Sequence, residues 1–181
     1  MGYKTKARSI KEIRDKAEIV RYIIKLFTKS DGEKIDILKF AEHTISSKID
    51  ANFNFIVLPI DEMKSDYGKT SSNGDAIYIR EDVYYRACDG KSRDLFTIAH
   101  ELGHLFLHSK QNVELYRSSS EIKIYEDTEW QANTFAAELL MPAKLITEED
   151  TPFSLVSRFG VSYESAEIRL KKLGISGYWS H

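Results

Sequence analysis

The sequence predicts an α+β protein: a helical domain with a small, largely antiparallel three-stranded sheet and a helix-turn-helix-like tail. Three observations carry that prediction. Apolar residues recur at helical intervals over residues 10–27, 95–106 and 129–140. Between residues 52 and 80 the period changes to short runs rich in β-branched and aromatic residues, separated by Pro and Asn-Gly signals. After residue 150 two further helical patterns flank Gly160.

The elements follow in order. Ile10, Ile13, Ala17, Val20, Ile24 and Phe27 make one face of a first packing helix. After the Asp31-Gly32 turn, Ile35, Leu38, Phe40, Ala41 and Ile45 predict a second helix to about Ser47. The run from Phe53 closed by Pro59, the Asp66–Thr70 piece and Ala76–Arg80 read as strands, with Asn73-Gly74 as a hairpin turn. Ala76–Arg80, nearest in sequence to the next long helix, is expected at the sheet edge, where it could pair with an extended peptide. Glu81–Cys88 suits a short helix, and Asp89–Ser92 a loop.

A length of 181 residues suits one domain, residues 1–150, with a tail, residues 151–181, packed on the same unit. Hydrophobic residues make up 42% and charged residues 30%, the balance of a water-soluble globular chain. No run approaches the roughly 18 apolar residues of a membrane span, and Met1–Lys16 has charges but no signal core, so a cytoplasmic protein is expected. Lys6 stands where a myristoylation signal on Gly2 would need Ser or Thr. The single Cys88 excludes an internal disulfide and reads as a buried or inert thiol. The net charge of −2 is uneven: residues 1–34 carry ten Lys/Arg against five Asp/Glu, leaving the middle acidic. An acidic middle favours basic protein segments as partners.

That middle contains the stretch that carries chemistry, Asp94–Ser109, D-L-F-T-I-A-H-E-L-G-H-L-F-L-H-S. On a helix, Leu95, Ile98, Ala99, Leu102, Leu105 and Phe106 share an apolar face, while His100, Glu101, His104 and His108 lie opposite. Two histidines four residues apart differ by about 40° around the axis and about 6 Å along it, so both imidazoles can reach one ion. Zinc suits such ligands. Glu101, about 100° from His100, is free to act on a water as a base. Gly103 costs about 1 kcal/mol inside a helix and therefore wants a reason, such as close approach of another backbone; it reads as room beside the metal. Leu107 and Lys110 stand where a third histidine ligand from the same segment would require Gly and His. His108, rotated a further ~40° from His104, reads as a buried or supporting residue.

A third ligand is therefore sought in Glu126–Pro142, E-D-T-E-W-Q-A-N-T-F-A-A-E-L-L-M-P. Glu129, Asn133, Ala136 and Leu140 form one helical stripe beside Ala132, and Pro142 ends the helix. Glu129 as ligand would leave one open zinc position, as catalytic sites need, and Asn133 could hold a ligating histidine in orientation. Glu126, about 60° away, is the alternative, whereas Glu138 points elsewhere and is expected to meet solvent.

F-T-I-A-H-E-L-G-H-L-F-L-H followed by E-x-x-A-N-x-F-A-A-E-L-L-M-P resembles the ImmA/IrrE family of zinc metallopeptidases over roughly residues 65–175. The Glu-x-x-x-Asn spacing is also similar to the Glu-x-x-x-Asp of thermolysin-like enzymes. The resemblance implies a zincin-like fold of gluzincin type, Zn2+ on His100, His104 and Glu129, and Glu101 as general base. It also implies a protein substrate, a repressor or antitoxin of a mobile element.

The polar segment between His108 and Glu126 reads as a flap over the site, with Tyr116 or Tyr125 as candidate donors to an oxyanion. The tail reads as helix, turn at Gly160, Ser162 N-cap, helix and Gly174 stop. Glu164 and Glu167 on its second helix would repel phosphates, which argues against direct nucleic-acid binding. The rival to a peptidase is a non-proteolytic metal-binding regulator acting through that tail.

Overall fold

The computed structural model describes residues 4–30, 32–108 and 123–175. Helix α1, Ile10–Thr28, starts from a capping box in which Ser9 accepts from the Glu12 N–H while Glu12 reaches back to Ser9. It buries Ile13, Ala17, Val20 and Ile24, while Ile10 and Phe27 remain largely exposed, so its inner face is narrower than the periodicity suggests. The turn α2, Ile37–Lys39, runs into a π-helical stretch, Phe40–Ile49, two residues beyond the expected end.

The sheet departs from expectation. Strands β1 (Asn54–Leu58), β2 (Gly68–Thr70) and β3 (Ala76–Arg80) lie in the order β1-β3-β2. β1 pairs with β3 in parallel, Asn54 opposite Ala76 through Leu58 opposite Arg80. Only β2 and β3 form the antiparallel hairpin, turning at Gly74 with φ 70°. The sheet is thus mixed rather than largely antiparallel. The one-turn helix α3, Ile60–Met63, reverses the chain after Pro59, and β1 then docks on the far side of β3 from the hairpin. Ala76–Arg80 is consequently the central strand, not an edge, and cannot pair with another chain. Its burial agrees, since Ala76, Ile77 and Ile79 are all buried.

Helix α4, Glu81–Cys88, leads to the long α5, Ser92–His108, and Arg86 ties the two through Asp94 at 2.8 Å. Cys88 is exposed rather than buried, because it ends α4 on the outer side. Helix α6, Thr128–Leu140, is capped by the Asp127 side chain on the Trp130 N–H. Helices α7, Pro152–Phe159, and α8, Tyr163–Lys172, flank Gly160, whose φ of 69° is the left-handed conformation that ends α7. Leu155, Phe159, Ala166 and Leu170 from these two helices join the same apolar cluster as α1, α5 and α6.

The end of α6 is where most of the chain meets. Its last carbonyls lie in the core and need donors. Arg21 of α1 donates to the Leu139 carbonyl at 2.7 Å, and Arg169 of α8 to the Met141 carbonyl at 3.0 Å. Both cations also suit the negative end of the helix dipole. Glu138, expected in solvent, is instead 1% exposed between Arg14 at 3.1 Å and Arg169 at 2.6 Å. Helical angle alone puts it opposite Glu129; α1 and α8 cover that opposite side. Among the described residues no helix is long and apolar enough to cross a membrane.

Burial opposes ionisation of Glu138, but Arg169, Arg14 and the Ala143 N–H outweigh it and hold the carboxyl below its ordinary 4.5. Its stabilising effect is therefore complete above about pH 4.5 and is lost as pH falls through the lower folded value. Glu138→Gln, which leaves the buried Arg169 and the partly exposed Arg14 short of a partner, should cost about 3–5 kcal/mol at pH 7. Urea unfolding of both proteins should show that difference shrinking as pH falls below about 4.5 and vanishing only beneath the lowered folded value, where the native carboxyl is itself neutral.

Candidate metal and catalytic centre

Helices α5 and α6 pack face to face, and Gly103 sets their separation. A Cβ at Gly103 would lie 2.9 Å from Ala132 Cα and 3.0 Å from its carbonyl oxygen. The glycine thus makes room for the α6 backbone. At this spacing Glu129 of α6 reaches the two histidines of α5.

His100 Nε2 and His104 Nε2 are 3.0 Å apart. Glu129 Oε2 lies 3.3 Å from the first and Glu129 Oε1 3.4 Å from the second. These three side chains are the metal-capable cluster among the described residues, with ligand atoms all within 4.8 Å of one another. Zinc–ligand bonds of about 2.0–2.1 Å in a tetrahedron put ligand atoms roughly 3.3 Å apart, close to the observed edges. Asn133 Oδ1 lies 3.0 Å from His100 Nδ1. A carbonyl oxygen can only accept, so His100 carries its proton on Nδ1 and turns a lone pair on Nε2 toward His104. Lone pairs converging at hydrogen-bond distance beside a carboxylate form a donor set suited to a cation.

The electrostatics agree. Burial is the largest influence and works to lower the His100 pKa, but Glu129, Glu101 and Asn133 together outweigh it and the net shift is upward: the two carboxylates favour positive charge at this point. His104 is lowered to about 4, first by burial and then by His100 beside it, so its ring is neutral near pH 7. Glu129 is held below its usual range chiefly by its hydrogen bond with His100.

Glu101 lies one residue round the helix, 5% exposed, and burial raises its pKa against the opposing effect of Thr70. Strand β2 packs directly on it. The Thr70 hydroxyl lies 2.8 Å from Glu101 Oε2 and 3.0 Å from the Glu101 carbonyl, and a Cβ at Gly68 would come within 2.8 Å of Glu101 Cγ. Neither residue was singled out in the sequence, although a glycine in a strand is a general sign of close approach. The cleft over these groups is lined by Tyr67, Lys69 and Thr70 of the β2 region, Met63, Tyr78, Phe96 and the histidine–glutamate set.

The remaining candidates fall elsewhere. Glu126 lies in the turn before α6 and pairs with Lys4 at 3.7 Å, away from the histidines. His108 is buried behind His104, with its Nδ1 3.1 Å from His104 Nδ1, so it supports that ring rather than joining Glu129. Tyr125 is 40% exposed, close to Lys123, and is not among the cleft-lining residues. Tyr116 and most of the expected flap lie outside the described residues.

Comparison with known proteins bears on the family and the fold. The family model of the IrrE N-terminal-like domain, peptidase family M78, matches residues 50–171. The metallopeptidase ImmA of Bacillus subtilis (strain 168) is 42% identical over 53 residues, which is 29% of this chain and 31% of that protein. A Mycobacterium tuberculosis transcriptional regulator of known structure superposes with a TM-score of 0.50 at 15% identity. That match covers 90% of this chain and 51% of the regulator, and it bears on the fold alone. The chain therefore spans about a third of the matched metallopeptidase and half of the structural neighbour.

Because α5 and α6 meet at backbone distance, Gly103→Ala should push them apart. We expect a loss of about 1–3 kcal/mol, the usual cost of overpacking, read as a lower urea midpoint with an unchanged slope.

Proposed function

The chain belongs to the IrrE N-terminal-like family of peptidases, and on that premise we propose that it is a zinc-dependent endopeptidase cutting a peptide bond in a partner protein. The observation that carries the reading is the near-tetrahedral spacing of the His100, His104 and Glu129 ligand atoms with Glu101 alongside. His100, His104 and Glu129 would hold the ion, with Asn133 fixing the His100 ring. Bound zinc would supply a water of lowered pKa and polarise the scissile carbonyl.

The chain's own residues do the rest. Glu101 takes a proton from the attacking water and returns it to the departing amine. Its burial raises the carboxyl pKa and makes it a better base than an exposed glutamate. Thr70 and Gly68 keep that carboxylate in place. With β3 enclosed in the sheet, β2 borders the cleft and offers main-chain groups to an extended substrate. We take the partner to be a repressor or antitoxin, as the family resemblance implies.

The alternative is a non-proteolytic metal-binding regulator working through α7 and α8. The helix, Gly160 turn and helix of α7 and α8 have the form such a role would use. Against contact with DNA, Glu164 on α8 is exposed, whereas Arg169 is buried on Glu138. Incubating the protein with Zn2+ and a candidate repressor distinguishes the two, since fragments appear only in the first case.

Glu101→Gln should keep its zinc, measured by metal analysis, and lose about 10²–10⁴-fold in cleavage rate; equal cleavage removes Glu101 from the chemistry. Glu129→Ala should fail to retain stoichiometric zinc through a chelator wash. Thr70→Val should bind zinc normally and lower kcat more than it raises KM.

A further inference from the structure

His108 ends α5 with both ring nitrogens engaged, Nδ1 at 3.1 Å from His104 Nδ1 and Nε2 at 3.1 Å from Gln131 Oε1. Gln131 is 0% exposed, and its amide nitrogen donates to the carbonyls of Lys6 at 2.9 Å and Tyr125 at 2.8 Å. These four links allow one distribution of protons. Carbonyl oxygens accept only, so the amide spends both hydrogens on Lys6 and Tyr125 and its oxygen must face His108. His108 then donates from Nε2. A neutral ring so protonated has its lone pair on Nδ1, which accepts from His104 Nδ1–H. His104 is left with its lone pair on Nε2, the atom that faces His100 and Glu129.

One of the two terminal carbonyls belongs to a short extended segment before α1. That segment is tied to the turn ahead of α6 by the Thr5 N–H on the Glu126 carbonyl at 2.8 Å and the Arg8 N–H on the Tyr125 carbonyl at 3.1 Å. Lys4 and Asp127 form an antiparallel bridge, and Arg8 Nη2 donates to the Leu107 carbonyl in the last turn of α5 at 3.0 Å. The segment lies outside residues 50–171, the part matched by the family model.

We propose that residues 4–8 are a strap that, through Gln131 and His108, selects the metal-binding tautomer of His104, so that lifting the strap weakens the metal. His108 and Gln131 are then positioning residues. The inference rests on His104 being a zinc ligand. A hydrogen-bond chain that merely stabilised the fold would change the melting temperature and leave tautomer and metal affinity alone.

The test uses the full chain, 15N-labelled at histidine and loaded with Zn2+. Two-bond 1H–15N spectra should show His108 protonated on Nε2 only, and His104 protonated on Nδ1 with Nε2 shifted by metal. His108 protonated on Nδ1, or on both nitrogens, overturns the strap while leaving the zinc reading intact. A His104 ring without any metal shift sinks both. Chelator competition should then show the zinc Kd rising about 10–100-fold in Gln131→Met, with a second His104 tautomer present. Thr5→Pro, which removes the strap N–H on the Glu126 carbonyl, should raise Kd in the same direction. Folded variants with unchanged Kd and tautomers refute the proposal; if Gln131→Met does not fold, Thr5→Pro and the spectrum of the unsubstituted protein decide it.

Discussion

The approach of α5 to α6 at Gly103 and Ala132 is the constraint on which the rest depends. Two histidines on one helix can only offer two ligands to one ion; the third must come from elsewhere at fixed distance. A glycine opposite an alanine brings the helix backbones close enough for a glutamate to span the gap. A methyl group more at this crossing would spread atoms that now stand 3.0–3.4 Å apart. Packing at the crossing and chemistry at the cleft are the same geometric fact.

Around that crossing the structure spends its buried polar groups on holding α5 and α6 still. The α6 end is held by Arg21 and Arg169, with Glu138 between Arg14 and Arg169. Near its start, Gln131 joins α6 to the segment ahead of α1 and to His108 of α5. β2 approaches from the other side and presses Thr70 and Gly68 against Glu101. Each functional side chain therefore has a partner from a different element, which leaves few ways for it to rotate out of place.

Much of this was legible beforehand because it is local. The i, i+4 spacing of His100 and His104, the carboxylate between them and the caps at Ser162 and Gly160 depend only on helix geometry and nearest neighbours. Glu129 and Asn133 were legible as a stripe of the right chemistry. Gly103 was legible as an anomaly, though its meaning, room for a backbone, needed the partner helix. Glu138 was misread for the same reason: its angle on α6 was right, but angle says nothing about what covers that side. The strand Ala76–Arg80 was misplaced because a hydrophobic run fits an edge or a centre equally until its neighbours are known.

By itself the sequence determined most of the secondary elements and the pair of imidazoles with their adjacent carboxylate, since these follow from periodicity and short-range spacing; the family entered as a resemblance of motifs, matched over residues 50–171. Only the tertiary structure decided that β1 runs parallel to β3, that β2 is the strand beside the cleft, and that Glu138 is a buried counter-ion rather than a surface acid. It alone joined Thr70 to Glu101 and Gln131 to His108. The physical reason is that hydrogen bonds and ion pairs between residues far apart in the chain depend on how elements are docked, and docking is set by the summed packing of the whole core rather than by any local pattern.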